Sequence, residues 1–487
     1  MRDARRKYVR HGGSVWSILV RAGDIGIEGR GLQHGGRVLT SIRRPQPIVL
    51  ATDQSHLRLL VTIVACAIGF YFVEHSWDTT VDLSIEAIQS GDVAPLNERV
   101  ESGSLERKLA FPLIGFIGVL LLLWRGKSSE RPTLPLNYWM FLIYAMWTCA
   151  SIIWSADAEL TIRRLVVFAC IVSAAIGFRE RFRNADIAII VVAVVLLHLA
   201  VGVAAEVVHS GFPFIHSDYR FAGTVHPNTQ AVQLGAAGIA VLCLFSQSRR
   251  KWLWGGLYVV IVLFVYLTRS RTALASLMVA SACITVPRIP QRYLGMLFLG
   301  PAAAISLIAL SLLLLDLPMA NKLQSIIFLG RVEETATLTG RTAIWSALFE
   351  YFSERPFFGF GYGGFWTPQV FLELGDELGF QPAHAHSAYL QTLLDIGLIG
   401  FAILAIATIV AVFQSGRYML LDRDDINSRF FFGLFIMGLL FSGLDTNFVI
   451  PCFVNLITFA GIASCFRNKK TVTRWQRNVH ASNVSPG

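Results

Sequence analysis

The stretch IAIIVVAVVLLHLAVGVAA occupies residues 187–205 and contains no charged residue. A helix needs roughly 17–25 mostly apolar residues to cross a bilayer, so this stretch predicts a transmembrane helix. The whole chain of 487 residues has the same character, with 54% hydrophobic and 15% charged residues and a mean hydropathy of +0.56. Soluble chains carry about a quarter charged residues. The composition therefore argues against a soluble enzyme and predicts a polytopic membrane protein.

Runs similar to this stretch predict an all-α fold with about 12 transmembrane helices. The predicted spans are 57–73, 109–124, 138–155, 161–178, 186–208, 229–247, 252–268, 272–287, 293–315, 387–413, 430–448 and 451–466. The seventh and eighth are so close that they form a tight hairpin. The spans define a membrane domain over 57–466. Residues 1–56 are predicted to be a basic, flexible cytoplasmic extension that lacks a signal-peptide core, and residues 467–487 a basic cytoplasmic tail.

The positions of Lys and Arg predict the orientation. If the N-terminus is cytoplasmic, 30 of the 42 Lys and Arg residues fall in cytoplasmic segments, as the positive-inside rule requires. We therefore expect a bacterial inner-membrane protein with both termini in the cytoplasm. This bias also explains the formal charge of +10 without nucleic acid as a partner.

One large external loop, residues 316–386, is expected to lie in the periplasm. Its stretch from Thr339 to Phe352 places Ile344, Trp345, Leu348, Phe349 and Phe352 at helical spacing. This spacing predicts an amphipathic helix.

Cysteine usage gives no sign of a metal centre. All seven cysteines lie in or at the ends of apolar runs, and none forms a CxxC pair. We therefore predict neither a disulfide framework nor a zinc site, and we expect no metal and no cofactor.

Arginines on the external face are the first candidate functional residues. Arg220 precedes the sixth span, Arg269 and Arg271 occupy the hairpin between spans seven and eight, and Arg341 lies in the large loop. Guanidinium groups bind phosphate oxygens bidentately and keep their charge, so converging arginines suit a phosphate or pyrophosphate. The alternative is that they bind lipid phosphates or anchor helix ends.

The second candidate is the segment HAHSAYL at residues 384–390, where the large loop enters the tenth span. A histidine at a helix N-terminus tends to stay neutral, and a neutral imidazole can accept a proton from a hydroxyl. This makes His386, with His384 as second choice, a candidate base. Helix capping by Ser387, a metal site and simple exposure are the alternatives.

Other patterns carry less weight. The glycines of residues 359–364 lack the βαβ unit of a dinucleotide site, so they indicate a flexible loop or close backbone approach. Asp422 and Asp424 resemble an Asp-x-Asp motif but lie among cytoplasmic charges. His198 is expected to be a packed histidine, and Asp445 and Asn447 are candidates to line a cavity.

Several of these motifs together resemble the O-antigen ligase/polymerase superfamily of bacterial envelope proteins, which includes Wzy- and ExoQ-type polysaccharide polymerases. They occur in family order over about residues 110–465, with Ser387 where the family often has Asn. The matching pieces are Trp154-Ser155-Ala156-Asp157, Arg220 with Gly223, Pro227 and Asn228, Ser270-Arg271-Thr272-Ala273, Gly340-Arg341 with Trp345, Pro356 with Gly359 and Gly361, and His386-Ser387 with Leu390 and Gly397.

The resemblance implies a metal-independent, inverting glycosyltransferase that uses a sugar chain on undecaprenyl pyrophosphate at the periplasmic face. His386, with His384 second, would be the base. Arg220, Arg271 and Arg341, with Arg269 second, would hold the pyrophosphate. The implied partners are the lipid-linked oligosaccharide, membrane lipids, and flippase and chain-length or export proteins.

Three functions remain open at this stage. The favoured one is polymerisation of lipid-linked repeats into exopolysaccharide. A ligase would instead transfer the finished glycan to a glycolipid or protein. A flippase or transporter is the alternative from another class, and it should carry charges inside its helices and often internal repeats.

Overall fold

The computed structural model describes residues 53–74, 105–123, 134–182, 185–210, 219–288, 341–379, 382, 384–422 and 424–464, and within them all regular structure is helical. The α-helices are α1 Asp53–Glu74, α2 Leu105–Leu123, α3 Leu136–Ala150, α4 Ala158–Arg181, α5 Asp186–Ser210, α6 Pro227–Phe245, α7 Lys251–Leu267, α8 Arg271–Thr285, α9 Arg341–Glu354, α10 Pro368–Leu378, α11 Ala388–Leu421, α12 Ile426–Ser442 and α13 Phe453–Ile462. Two short 3₁₀ helices follow α3 and α8, at Ser151–Trp154 and Val286–Arg288.

Eleven of the twelve predicted spans coincide with these helices, and the ninth, 293–315, lies outside the described residues. Among the described residues, six helices are long and apolar enough to cross a membrane: α1, α3 with its 3₁₀ extension, α4, α5, α6 and α11. Four more, α7, α8, α12 and α13, are shorter apolar helices. The chain is a multi-pass membrane protein, and twelve spans remains a prediction.

Several predictions concern residues that the structure does not describe. The extension predicted at 1–56 is described only from residue 53, where α1 begins, and the tail at 467–487 lies outside the described residues. The large loop 316–386 is described from residue 341, apart from residues 380, 381 and 383.

Among the six described helices of membrane-spanning length, α6 is the most deeply buried. Fourteen of its nineteen residues are buried, many of them Ala or Gly, and it contacts α5, α7, α8, α12 and α13. Small side chains let neighbouring helices approach closely within a membrane. The helix starts with Pro227 after the N-cap residue His226, a position where proline's missing N–H costs nothing.

Helix α11 is interrupted at Gly397, which has φ 68° and ψ −176°. A Cβ there would lie 2.2 Å from the carbonyl oxygen of Phe357, so only glycine fits. The interruption exposes backbone groups of α11, and these pair with residues 356–364, the glycine-rich segment. Leu398 N–H donates to Pro356 O at 2.8 Å, and Phe360 N–H donates to Leu394 O at 2.8 Å. The glycines therefore serve close backbone approach, one of the two interpretations of their sequence.

Helices α9 and α10 form a small core of their own against the start of α11. The predicted amphipathic helix at 339–352 is confirmed as α9, which buries Ile344, Ala347 and Leu348. These residues pack with Phe365, Trp366, Leu374 and Leu394. The Nε1 of Trp345 donates to the carbonyl of Ala385 at 3.0 Å, so this core fixes the backbone just before His386.

Candidate active site

The segment before α11 places two imidazole rings in contact. Ser387 is the N-cap residue of α11, and its hydroxyl accepts from the N–H of Leu390 at 3.4 Å. Capping by Ser387 is thus confirmed, but it does not account for the histidines. His386 has a left-handed backbone with φ 47°, which is uncommon outside glycine. Its N–H donates to Nδ1 of His384 at 3.2 Å, and the ring centroids are 4.0 Å apart.

Burial keeps both imidazoles neutral. It lowers the pKa of His386 to about 3, with further lowering by the nearby His384 and Arg341 and an opposing effect of Asp445. Burial, His226 and Arg341 lower the pKa of His384 to about 4. This agrees with the expected neutral form of the imidazoles, although the sequence argument named the helix dipole as the cause. The alternative of simple exposure is wrong, since Nδ1 of His386 is buried and has no hydrogen-bond partner among the described residues.

Asp445 connects the histidine segment to the N-terminal end of α6. Its backbone carbonyl accepts from the N–H of Ala388 at 3.0 Å, two residues after His386. Its Oδ2 accepts from Nδ2 of Asn228 at 3.0 Å, and its Oδ1 accepts from Nδ2 of Asn447 at 2.5 Å. Asp445 is 3% exposed. One buried residue thus links three elements: its carboxylate bonds the start of α6 and the loop after α12, and its backbone carbonyl bonds the start of α11.

Arg220 joins the same network. Its Nη2 donates to Oδ1 of Asn228 at 3.1 Å, and its Nε donates to the carbonyl of Thr268 at 2.9 Å. The next residue, Phe221, donates its N–H to Leu267 O at 2.9 Å. Arg220 is therefore oriented between the start of α6 and the hairpin that separates α7 from α8.

Glu206 of α5 supports the loop that carries Arg220. Its Oε1 accepts from the N–H groups of Ala222 and Gly223 at 2.9 and 2.6 Å, and its Oε2 accepts from the hydroxyl of Tyr219. Burial and this carboxylate raise the pKa of Tyr219. The loop is thus built on a carboxylate that sequence reasoning did not single out.

The other predicted arginines lie on two elements. Arg269 has a left-handed backbone with φ 54° in the three-residue hairpin, and Arg271 is the first residue of α8. Arg341 is the first residue of α9, and its charge acts on both histidines. The structure thus brings Arg341 to the histidines and groups Arg220 with the hairpin of Arg269 and Arg271.

Two of the weaker sequence patterns, His198 and the pair Asp422 and Asp424, lie apart from this site. His198 of α5 is 2% exposed and its Nε2 lies 2.9 Å from the carbonyl oxygen of Ala67, as a packed histidine should. Asp422 and Asp424 lie in the turn between α11 and α12. No group of three or more His, Cys, Asp or Glu side chains in the described part of the chain is arranged to hold a metal ion.

Sequence reasoning missed a cavity of about 210 Å³ beside His384. Its lining includes Arg164 of α4, Trp366, and Gln391 and Asp395 in the first two turns of α11. Polar residues inside an apolar run were the available signal, because a lipid-facing turn would not carry Gln391 and Asp395. Asp445, noted as a possible cavity residue, proved to be a link between three elements.

Two comparisons with known proteins fit these residues. Residues 256–405 match a family model described as O-antigen ligase, a range that includes Arg269, Arg271, Arg341, His384 and His386. The exopolysaccharide production protein ExoQ of Rhizobium meliloti (strain 1021) is 28% identical over 160 residues, covering 30% of this chain. The alignment spans 36% of that relative. Both matches confirm the resemblance of this chain to the O-antigen ligase/Wzy-type superfamily.

Proposed function

We propose that the protein polymerises undecaprenyl-pyrophosphate-linked oligosaccharide repeats into exopolysaccharide at the periplasmic face of the bacterial inner membrane. The observation that carries the proposal is the neutral histidine pair beside Arg341, joined through Asp445 and Asn228 to Arg220. A buried base next to fixed cations suits transfer of a sugar from an anionic leaving group to a hydroxyl.

In this mechanism His386 takes the proton of the attacking acceptor hydroxyl. The acceptor oxygen forms a bond to the anomeric carbon of the donor sugar while the bond from that carbon to the phosphate oxygen breaks. The bonding electron pair leaves with the lipid pyrophosphate, and the configuration at the carbon inverts. The neutral imidazole of His386 supports this role, because an unprotonated ring nitrogen can accept the proton.

The arginines would stabilise the charge that develops on the leaving pyrophosphate. The hydrogen bonds of Arg220 to Thr268 and Asn228 orient its guanidinium before substrate arrives. Arg341 would act beside the histidines, and Arg271, with Arg269 as second choice, would act from the hairpin. With enough fixed cations the reaction needs no metal ion. Activity that disappears in a chelator and returns with a divalent ion would refute this part of the proposal.

Ligase-type transfer to a glycolipid or protein is the second candidate, favoured by the description of the family model that matches residues 256–405. The polymerase is preferred because the relative in Rhizobium meliloti is described as an exopolysaccharide production protein. A flippase is the third candidate. It is disfavoured because the candidate residues gather at one end of the helices rather than along a central cavity.

Deletion of the gene followed by analysis of the accumulated lipids distinguishes the three functions. Single lipid-linked repeats exposed to the periplasm would support the polymerase. Complete polymer chains that remain on the lipid carrier would support the ligase instead. Repeats that face the cytoplasm would support the flippase and overturn the proposed catalysis.

A further inference from the structure

The cavity beside His384 has the side chains of a carbohydrate site. Trp366 and Phe371 form an aromatic wall, with ring centroids 5.3 Å apart and an angle of 31° between the rings. Arg164, Gln391, Thr392 and Asp395 supply the polar groups. An aromatic face suits the C–H face of a sugar ring, and planar polar side chains suit its hydroxyls. A volume of about 210 Å³ suits a single sugar ring rather than a lipid tail.

The polar groups of this cavity are held in place by one another. The Nε1 of Trp366 donates to Oε1 of Gln391 at 2.9 Å, and Nε2 of Gln391 donates to Oδ1 of Asp395 at 3.1 Å. Gln391 and Asp395 lie one turn apart on α11 and are 6% and 7% exposed. The chain of hydrogen bonds couples the aromatic wall to the carboxylate. Such preorganisation lowers the cost of ordering side chains when a ligand binds.

The glycine-rich segment forms part of the cavity and fixes its shape. Gly363 lines the cavity with φ 66°, and a Cβ there would lie 2.7 Å from Cγ of Arg164. Its backbone N–H is hydrogen-bonded to Asp395. The same segment is anchored to α11 around Gly397 by the bonds described above. The cavity is therefore built from backbone as well as side chains.

The cavity contacts the histidine pair away from the predicted anion site. His384 is among its lining residues, whereas Arg220, Arg269, Arg271 and Arg341 are not. In an inverting displacement the attacking group and the leaving group lie on opposite sides of the reacting carbon. If the arginines hold the leaving pyrophosphate, the acceptor lies on the other side of the imidazoles.

We propose that this cavity binds the acceptor sugar ring whose hydroxyl attacks the donor. Trp366 stacks on the ring, while Asp395, Gln391 and Arg164 select its hydroxyl pattern. The inference rests on the proposed glycosyl transfer and adds the place and chemistry of the acceptor.

The test uses the full chain in lipid nanodiscs and two probes. The donor is the lipid-linked repeat extracted from the deletion strain, and the acceptor is the free oligosaccharide released from that lipid by mild acid. Trp366→Ala and Asp395→Asn should each raise the KM for the acceptor at least tenfold and leave the KM for the donor unchanged. Trp366→Phe keeps a ring but loses the bond to Gln391, so it should have a smaller effect. Asp376→Asn, at an exposed acid of α10, is the matched control and should change neither KM.

Saturation-transfer NMR with the free oligosaccharide measures binding independently of turnover. His386→Ala should still bind the oligosaccharide. Trp366→Ala lowers the unfolding temperature because Trp366 belongs to the core of α9 and α10, so it is measured where circular dichroism shows it folded, and there it should lose the signal. Asp395→Asn, which removes no core ring, should lose the signal as well. An unchanged acceptor KM and NMR signal in Trp366→Ala, or a rise in the donor KM alone, would overturn the inference. If the wild type transfers no sugar, the proposed function fails. If it transfers and the cavity variants behave like Asp376→Asn, only the acceptor site fails.

Discussion

The two ends of α6 hold arginines in different ways. At the C-terminal end, Arg429 of α12 is 2% exposed and donates from Nη1 to Oγ of Ser246, the C-cap residue of α6, at 2.7 Å. At the N-terminal end, Arg220 donates to Asn228 in the first turn of α6. The helix dipole stabilises a cation at the C-terminus and opposes one at the N-terminus. The C-terminal end of α6 therefore stabilises Arg429, whereas the N-terminal end of α6 does not stabilise Arg220.

Carboxylates of the protein lie close to the N-terminal end of α6. Asp445 accepts hydrogen bonds from Asn228, Thr446 and Asn447, and Glu206 holds the loop that carries Arg220. The two bonds that orient Arg220 end on neutral oxygens, so those bonds fix the guanidinium without cancelling its charge. Helix polarity therefore helps to distinguish a structural arginine from a candidate anion-binding arginine.

The largest expected effect tests whether the site at the N-terminal end of α6, to which His386 is joined through Asp445, is catalytic. His386→Ala should lower kcat by about 10²- to 10⁴-fold, the usual contribution of a general base. His386→Asn is the matched variant, since asparagine tolerates the left-handed backbone and so separates loss of the base from backbone strain. Both should show the wild-type amount of inserted protein in membranes. A wild-type kcat in either variant would refute the base assignment.

The second prediction tests whether the contact between the glycine-rich segment and Gly397 positions the start of α11. Gly397→Ala forces a Cβ against Phe357 O and puts alanine in a backbone region that costs about 1–3 kcal/mol. The start of α11 should shift, and activity should fall by about 10²-fold, as expected for an ångström-scale misplacement. Gly256→Ala in α7 is the control, because a Cβ there meets nothing within 4 Å. Equal activity and thermal stability in both variants would show that the interruption of α11 is dispensable.

The third prediction compares the two arginines directly. Arg220→Lys keeps the charge but loses the planar fork, so transfer should fall by about tenfold, the value of one charge-assisted hydrogen bond. Arg429→Lys should lower the unfolding temperature, since it loses the fixed bond to Ser246, while turnover per folded molecule stays at the wild-type level. If Arg429→Lys lowers turnover and Arg220→Lys lowers only the unfolding temperature, then Arg429 is the functional arginine and Arg220 the structural one.

Sequence reasoning located the helices well because membrane burial of roughly twenty apolar residues leaves a strong local signal. It could not locate the interruption at Gly397, since the apolar pattern continues on both sides of that residue. The bond between Asn228 and Asp445 joins residues 217 apart in sequence, and no local pattern specifies such pairing. Residue types on the external face suggested the histidines and arginines as site residues. Nothing in the local sequence distinguishes Arg164 and Glu206 from ordinary charges near a helix end.

The smallest expected effect concerns pH and again separates the two ends of α6. A base must be unprotonated to act, so activity rises with pH through its pKa and is constant above it. With the pKa of His386 lowered to about 3 by burial and nearby positive charge, kcat/KM should be flat from about pH 5 to 8. Arg341→Gln removes one of those charges and should move the acid limb to higher pH, whereas Arg429→Gln should leave it unmoved. If the acid limb of the wild-type pH profile lies near the ordinary histidine pKa of about 6.5 and does not move in Arg341→Gln, the base lies outside this buried pair.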